Sequence, residues 1–348
     1  MSDPYAAAGV DTREADRGIH ALVAALGGIE LGRPSRSRLR SGHYASVLEV
    51  APGLGVAMST DGVGTKLIVA EQAGRLDTVG IDCVAMNVND IVCVGAEPIA
   101  MLDYIAVEQA DAGALEQIGL GLARGAELAG VEIPGGELAI LPEMIEGHPS
   151  PHGLELSGTG IGTVALDRII TGEACRPGDA LIGIPSSGLH SNGYTLARRV
   201  LGERGALDER PASLGGASVS DALLEPTVIY VKAALALIAS TIEVHGLAHI
   251  TGDGVLNLKR LSDSVGFEIE DPLEVPAICT LVCERGGIGP AEAYQVFNMG
   301  CGFVAIVAGN DGAAAAQLLA EHHPGARVIG HVSDRRGVVS LPSLGVTL

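Results

Sequence analysis

Along the chain, short runs of β-branched and aliphatic residues alternate with longer stretches rich in alanine and leucine, which is the pattern of mixed α/β lobes. Two-residue alternation or an unbroken apolar run predicts strands at 46–50, 55–59, 99–107 and 154–166. Apolar positions spaced three and four apart predict helices at 79–94, ended by the turn Gly95-Ala96-Glu97-Pro98, and at 112–129. After residue 167 the pattern restarts. Pro177-Gly178-Asp179 reads as a turn and 180–185 as a strand, followed by helices at 193–203 and 220–242. A short strand at 247–250, a helix at 254–262, a further helix, strand and helix to 322, and strands at 328–332 and 337–341 complete the expectation. The boundary divides the chain into a first lobe, 1–167, and a second, 168–348, in keeping with 348 residues being about two domains' worth. The fold class expected is α/β, of the α+β type.

Composition narrows the function. Hydrophobic residues make up 47% and charged residues 18%, enough to build a core. A formal charge of -20 argues against duplex nucleic acid or an anionic membrane surface, both of which are bound through basic patches. No apolar run reaches the roughly 18 residues that a membrane span requires, and 1–10 lacks a basic start followed by an apolar stretch, so a cytoplasmic protein is expected. Six scattered cysteines without CxxC pairing read as buried thiols.

Only three of the 22 basic residues are lysines, and one of them, Lys66, follows Asp61-Gly62-Val63-Gly64-Thr65 between an expected strand and an expected helix. Glycines permit close backbone approach, amides at a helix start hold phosphate oxygens, and a lysine and a threonine add charge and a donor. The GxxxxGK[ST] pattern is absent, and a plain turn accounts for the glycines equally. Asn87, Asn89 and Asp90 interrupt an apolar helix, where buried polar groups need partners; either a metal at Asp90 or helix packing would supply one. Gly135-Gly136-Glu137 is read as a glycine loop, either a solvated turn or the carrier of a third carboxylate, in which case Asp61, Asp90 and Glu137 together would suit magnesium. Arg33, Arg36, Arg38 and Arg40, just before Gly42-His43, read either as a mobile flap gripping phosphate or as a solvated basic loop. In the second lobe, Ser191 and Asn192 precede a helix they could cap, whereas capping requires no imidazole, so His190 invites a proton-handling role. His249-Ile250-Thr251-Gly252-Asp253-Gly254 is another strand-to-helix glycine turn, which reads either as a site for an anion or ribose phosphate or as a plain turn.

Taken in order, "YAAAGVD" (5–11), "TDGVGTKL" (60–67), "GIDCVAMNVNDIVCVGAEP" (80–98), "LDY" (102–104), "GGE" (135–137), "SSGLHSNGYTLAR" (186–198), "LLEPTVIYVK" (223–232), "HITGDG" (249–254) and "FNMGCGF" (297–303) resemble the phosphoribosylformylglycinamidine cyclo-ligase (aminoimidazole ribonucleotide synthetase) family over nearly the whole chain. The resemblance implies ATP-dependent ring closure of formylglycinamidine ribonucleotide to aminoimidazole ribonucleotide in purine biosynthesis, with ATP and Mg2+. It also implies a homodimer in which the mixed sheets of the N-terminal lobes join across the two-fold, each first lobe being followed by a C-terminal α/β lobe. By motif, it assigns the nucleotide to Asp61, Gly62, Val63, Gly64, Thr65, Lys66, Asn89 and Asp90, with Gly42 and His43 in a flap. Magnesium goes to Asp61, Asp90 and Glu137, and the substrate to His190, Ser191, Asn192, His249 and Thr251. Catalysis falls to His190, Lys66 and Asp90. Departures stand at Leu138-Ala139-Ile140-Leu141-Pro142 after "GGE", at Asp253 in place of the glycine of HITGGG, and at His43-Tyr44 in place of glycine-phenylalanine. Thiamine monophosphate kinase, selenophosphate synthetase and the hydrogenase-maturation carbamoyl dehydratase share the two-lobe pattern, but their motifs match less well. A non-catalytic nucleotide-binding protein would not need the charged groups retained here.

Overall fold

The computed structural model describes residues 12–201 and 206–348. The "YAAAGVD" segment and the end of the helix expected at 193–203 therefore lie outside the described residues. A helix, α1 (Thr12–Gly27), opens the described chain. The first lobe is then built on β1 (Ser46–Ala51), β2 (Leu54–Gly62), β3 (Glu97–Val107), β4 (Glu132–Ile140) and β5 (Leu154–Ala165), in the order β1-β2-β5-β3-β4. Only β3 and β4 run parallel. Helices α2 (Lys66–Ala73), α3 (Val79–Cys93) and α4 (Ala112–Ala129) belong to this lobe, α3 lying across β2 and β5 with α4 packed behind it. The close packing needs glycine: a Cβ on Gly80 would meet the Leu122 backbone nitrogen of α4 at 2.2 Å.

The second lobe carries β6 (Ala180–Pro185), β7 (Val244–His249), β8 (Gly266–Ile269), β9 (Cys301–Val307), β10 (Arg327–Ser333), β11 (Val339–Leu341) and β12 (Val346–Thr347), ordered β12-β11-β8-β10-β6-β9-β7. Its helices are α5 (Tyr194–Leu201), α6 (Val219–Leu223), α7 (Val231–Ala239), α8 (Ala277–Gly286), α9 (Pro290–Val296) and α10 (Gly312–His322). Strand β9 is buried at every position, as its apolar sequence requires. One apolar core cluster runs through both lobes. All six cysteines are free thiols, five of them buried, and burial pushes Cys175, Cys279 and Cys301 up to about 12.

Three of the expected elements take another form in the structure, and α1, β8 and β12 are additional to those expected. The "GGE" loop is a strand, β4, on the sheet edge, where glycines and few apolar contacts conceal it from periodicity. The helix expected at 254–262 is a run of 3-10 turns, Gly254–Arg260. The single helix expected at 220–242 is two, α6 and α7, broken around Pro226, which has no N–H to give and disfavours helical backbone at Glu225.

Candidate functional site at the lobe boundary

Helix α3 is buried along nearly its whole length, and its polar residues divide between two faces. Asn87 turns to the sheet, donating to the carbonyls of Cys83 and Asp61. Asp82, Asn89 and Asp90 fall on one stripe at helical spacing and face the second lobe. There they meet the non-helical backbone at 225–230. Asp82 accepts from the Thr227 backbone N–H at 2.7 Å and from its hydroxyl at 2.6 Å. Asn89 donates to the Val228 carbonyl and accepts from the Tyr230 N–H, both at 2.9 Å. The break at Pro226 thus exposes backbone groups, and the first lobe satisfies them.

Lys66 completes the junction. Its Nζ lies 2.8 Å from Asp82 Oδ2 and donates to the carbonyls of His190 at 3.0 Å and Glu225 at 2.8 Å, both side chains of the ion pair being fully buried. Burial lowers the pKa of Lys66, and the Asp82 charge opposes that shift.

Beside this junction, Asp61 at the end of β2 and Asp90 near the end of α3 share a cavity of about 550 Å³ with His43, Tyr44, Thr60, Thr159 and Arg260. Burial, and then the charge of Asp90, raise the pKa of Asp61, against the pull of the Gly62 N–H that it accepts at 2.7 Å. His249, wholly buried behind Asp90, donates Nδ1–H to Asp90 Oδ1 at 2.9 Å and so fixes that carboxylate's orientation. From the second lobe, Arg260 places its guanidinium 5.4 Å from the Tyr44 ring centre and 3.3 Å from Asp253 Oδ2. Tyr44 in turn donates its hydroxyl to the Asn257 carbonyl at 2.8 Å.

His190 has a positive φ of 61° and is 1% exposed. Its Nε2 accepts from the Ser187 N–H at 3.3 Å, and its Nδ1 has no partner. Burial, followed by His249 and Lys66, holds the imidazole well below 6.5, so the ring is neutral. In the unfolded chain it regains its ordinary value, so between the two values the unfolded state binds more protons and stability falls as pH drops below about 6.5. Between about pH 7.5 and pH 5.5 the urea midpoint of the native protein is expected to fall further than that of His190→Asn. Equal falls in the two proteins would contradict this.

Residues 42–164 match the family AIR synthase related protein, N-terminal domain, and residues 176–341 match its C-terminal domain. Phosphoribosylformylglycinamidine cyclo-ligase of Methanothermobacter thermautotrophicus is 50% identical over 305 residues, covering 86% of each chain. The protein of the same name from Pyrococcus furiosus is 44% identical over 341 residues, covering 96% of each. The chain belongs to the phosphoribosylformylglycinamidine cyclo-ligase family. The crystal structure of hydrogenase maturation protein HypE in complex with ATP superposes with a TM-score of 0.62 at 21% identity, over 91% of this chain and 89% of that one, and shares the fold.

With the cyclo-ligase family established, the structure sorts the residues that the motifs singled out. Asp61 and Asp90 line one cavity. Glu137 does not join them within the chain: β5 and β3 separate β2 from β4, about 14 Å at the usual strand spacing. Asp61, Gly158, Asp103 and Gly136 form one cross-sheet row, so Glu137, next along β4, points to the other face. Lys66 is not available to a nucleotide phosphate, because Asp82 and two carbonyls occupy its ammonium in a fully buried site. Asn89 is likewise committed to the backbone of the second lobe, and Val63 is core. Gly64, at φ 71°, and Thr65 form the exposed turn, with the Thr65 hydroxyl 3.2 Å from that of Thr195.

His249 serves Asp90 instead of a substrate, being without exposure. Among the other second-lobe candidates, Ser191 pairs its hydroxyl with Thr227, Asn192 is half-buried beside Met86, and Thr251 donates its N–H to Asn257 Oδ1. His190, neutral and enclosed, does not line the Asp61–Asp90 cavity. The arginine segment is no free flap: Ser37 bridges to Leu48, the Arg38 N–H reaches the Val47 carbonyl, and the Arg38 side chain pairs with Glu49. Gly42, at φ 95°, leads into His43, whose Nε2–H donates to the Thr171 carbonyl at 3.2 Å.

Sequence reasoning missed Asp82, Tyr44 and Arg260. Asp82 was findable, since it stands seven and eight residues before Asn89 and Asp90 on the same helix face.

Proposed function

We propose that this protein closes the imidazole ring of aminoimidazole ribonucleotide from formylglycinamidine ribonucleotide and ATP, a step of purine biosynthesis. The reading is carried by the cavity that joins Asp61 and Asp90 of one lobe to Arg260 of the other, in a chain 50% identical to a cyclo-ligase. The formyl amide oxygen attacks the γ-phosphorus of ATP, and the bond to ADP breaks. An amidine nitrogen of the same molecule then attacks the activated carbon, and inorganic phosphate leaves with the former amide oxygen. A cleft that holds the substrate folded makes this second attack unimolecular.

Mg2+ suits the donor set. Asp61 and Asp90 offer hard carboxylate oxygens to one cavity, where a cation would relieve their like charge. Bound there, the ion would neutralise phosphate charge. His249 would keep the Asp90 carboxylate turned towards it, as partners behind a ligand commonly do. The test is incubation with formylglycinamidine ribonucleotide, ATP and Mg2+: aminoimidazole ribonucleotide and ADP should appear one for one, and ATP consumption without ring closure would sink the proposal.

We further propose a homodimer formed through the first sheet. One face of that sheet carries α3; the other presents Leu48, Leu54, Leu102 and Tyr104, each 37–43% exposed. Exposed apolar side chains gathered on one strand face mark an association surface. Sedimentation should give a dimer for the native chain and a monomer for Leu102→Arg; a native monomer would refute the interface. Among the described residues no helix is long and apolar enough to cross a membrane, and the reaction's soluble phosphorylated reactants favour the cytoplasm.

A further inference from the structure

Arg260 has no role in the motif assignments, and Asp253 stands where the common pattern has glycine. In the fold the two meet. Asp253 closes the turn after Thr251-Gly252, and one run of 3-10 backbone later Arg260 reaches back to it at 3.3 Å. Arg260 thereby leans out of the second lobe over the Tyr44 ring and into the cavity that holds Asp61 and Asp90.

The electrostatics of that cavity are one-sided without it. Two carboxylates sit near each other, and among the described residues lining the cavity Arg260 is the only arginine or lysine. A triphosphate entering here would bring more negative charge. Mg2+ at Asp61 and Asp90 would answer on one side, while the phosphoryl oxygens facing the second lobe would still need donors. A guanidinium has five N–H groups in a planar fork suited to phosphate. At Arg260 the Tyr44 ring braces the guanidinium and Asp253 takes one end of the fork, which leaves the remaining N–H groups to the cavity. At 36% exposure the side chain is neither buried in a structural pair nor free in solvent.

We propose that Arg260 contacts the γ-phosphoryl group of ATP, holding it as the amide oxygen attacks and as phosphate later departs, and that Asp253 is a positioning residue for that guanidinium. This rests on the cyclo-ligase reading for its substrate, but its test does not depend on ring closure. The Asp253–Arg260 pair is too exposed to matter much to stability, since exposed ion pairs contribute little. Its effect is therefore expected in binding and rate.

The decisive measurement is calorimetric binding of β,γ-methylene-ATP and of ADP, each with Mg2+, to the native protein, Arg260→Ala and Arg260→Lys. Arg260→Ala should lose at least about tenfold of the preference for the triphosphate analogue while keeping ADP affinity, and Arg260→Lys should retain part of it, because lysine keeps the charge without the fork. Asp253→Gly, which restores the common residue, should lose about threefold of the same preference with an unchanged melting temperature. In turnover, kcat of Arg260→Ala should fall by about a hundredfold or more and recover partly with added guanidinium. An unaltered preference overturns the proposal, whether both affinities persist or both are lost together. A selective loss of affinity for the ribonucleotide substrate also overturns it, by placing Arg260 on the other phosphate.

Discussion

Lys66→Met is expected to lower the stability of the protein by about 3–5 kcal/mol, the usual result of removing one partner from a buried ion pair. Lys66 and Asp82 are both without exposure, and the ammonium also carries the carbonyls of His190 and Glu225. Methionine fills the volume but leaves a buried carboxylate and two carbonyls short of a donor. Urea unfolding should show the loss as a lower midpoint. ATP affinity, measured under conditions where the variant is folded, should change little, because the ammonium has no donor to spare for phosphate. A variant as stable as the native protein but with tenfold weaker ATP binding would restore Lys66 to the nucleotide site.

Asp90→Asn is expected to do the reverse, preserving the fold and removing catalysis. The amide oxygen of asparagine still accepts from His249 Nδ1–H, so the buried contact survives and the melting temperature should stay near the native value. What disappears is the anionic donor beside Asp61, and with it one of the two carboxylates that suit Mg2+. Metal stabilisation of developing phosphate charge is worth several kcal/mol, so kcat should drop by about a thousandfold, with a higher Mg2+ requirement for the residual rate. Steady-state kinetics across a Mg2+ titration would show it; a kcat within tenfold of native would remove Asp90 from the metal.

Much of the first lobe was readable from the pattern of residues, because α4 and β5 are long and periodic and α3 is a long, almost wholly apolar run closed by a turn. The helix break at Pro226 was less readable, since the alanine- and leucine-rich residues on either side of it read as one helix; the proline alone marks the stop. Strand β4 was hidden because an edge strand with two glycines carries almost no alternation. At the site, a glycine turn and a polar break in an apolar helix were enough to mark Asp61 and Asp90, but not to separate residues that face a cavity from residues that face the other lobe. Lys66, Asn89 and His249 have the chemistry of ligand-binding groups and are used to join the lobes, a distinction that depends on which side of a helix or turn meets which surface. Arg260 lay beyond the glycine turn that drew attention to its motif, and only folding brings it back across Tyr44 to the carboxylates.

The junction at 225–230 has a consequence for how this protein can change over time. Asp82, Asn89 and Lys66 bind mainly peptide groups of that segment, with the Thr227 hydroxyl as the one side chain taken up. Every residue supplies the same carbonyl, and every residue but proline the same N–H, so as far as these bonds go positions 228 and 230 are free to drift while their partners on α2 and α3 are not. Tolerance to substitution across this boundary should therefore be lopsided, with a rigid set of side chains on one lobe reading a stretch of the other largely by its shape.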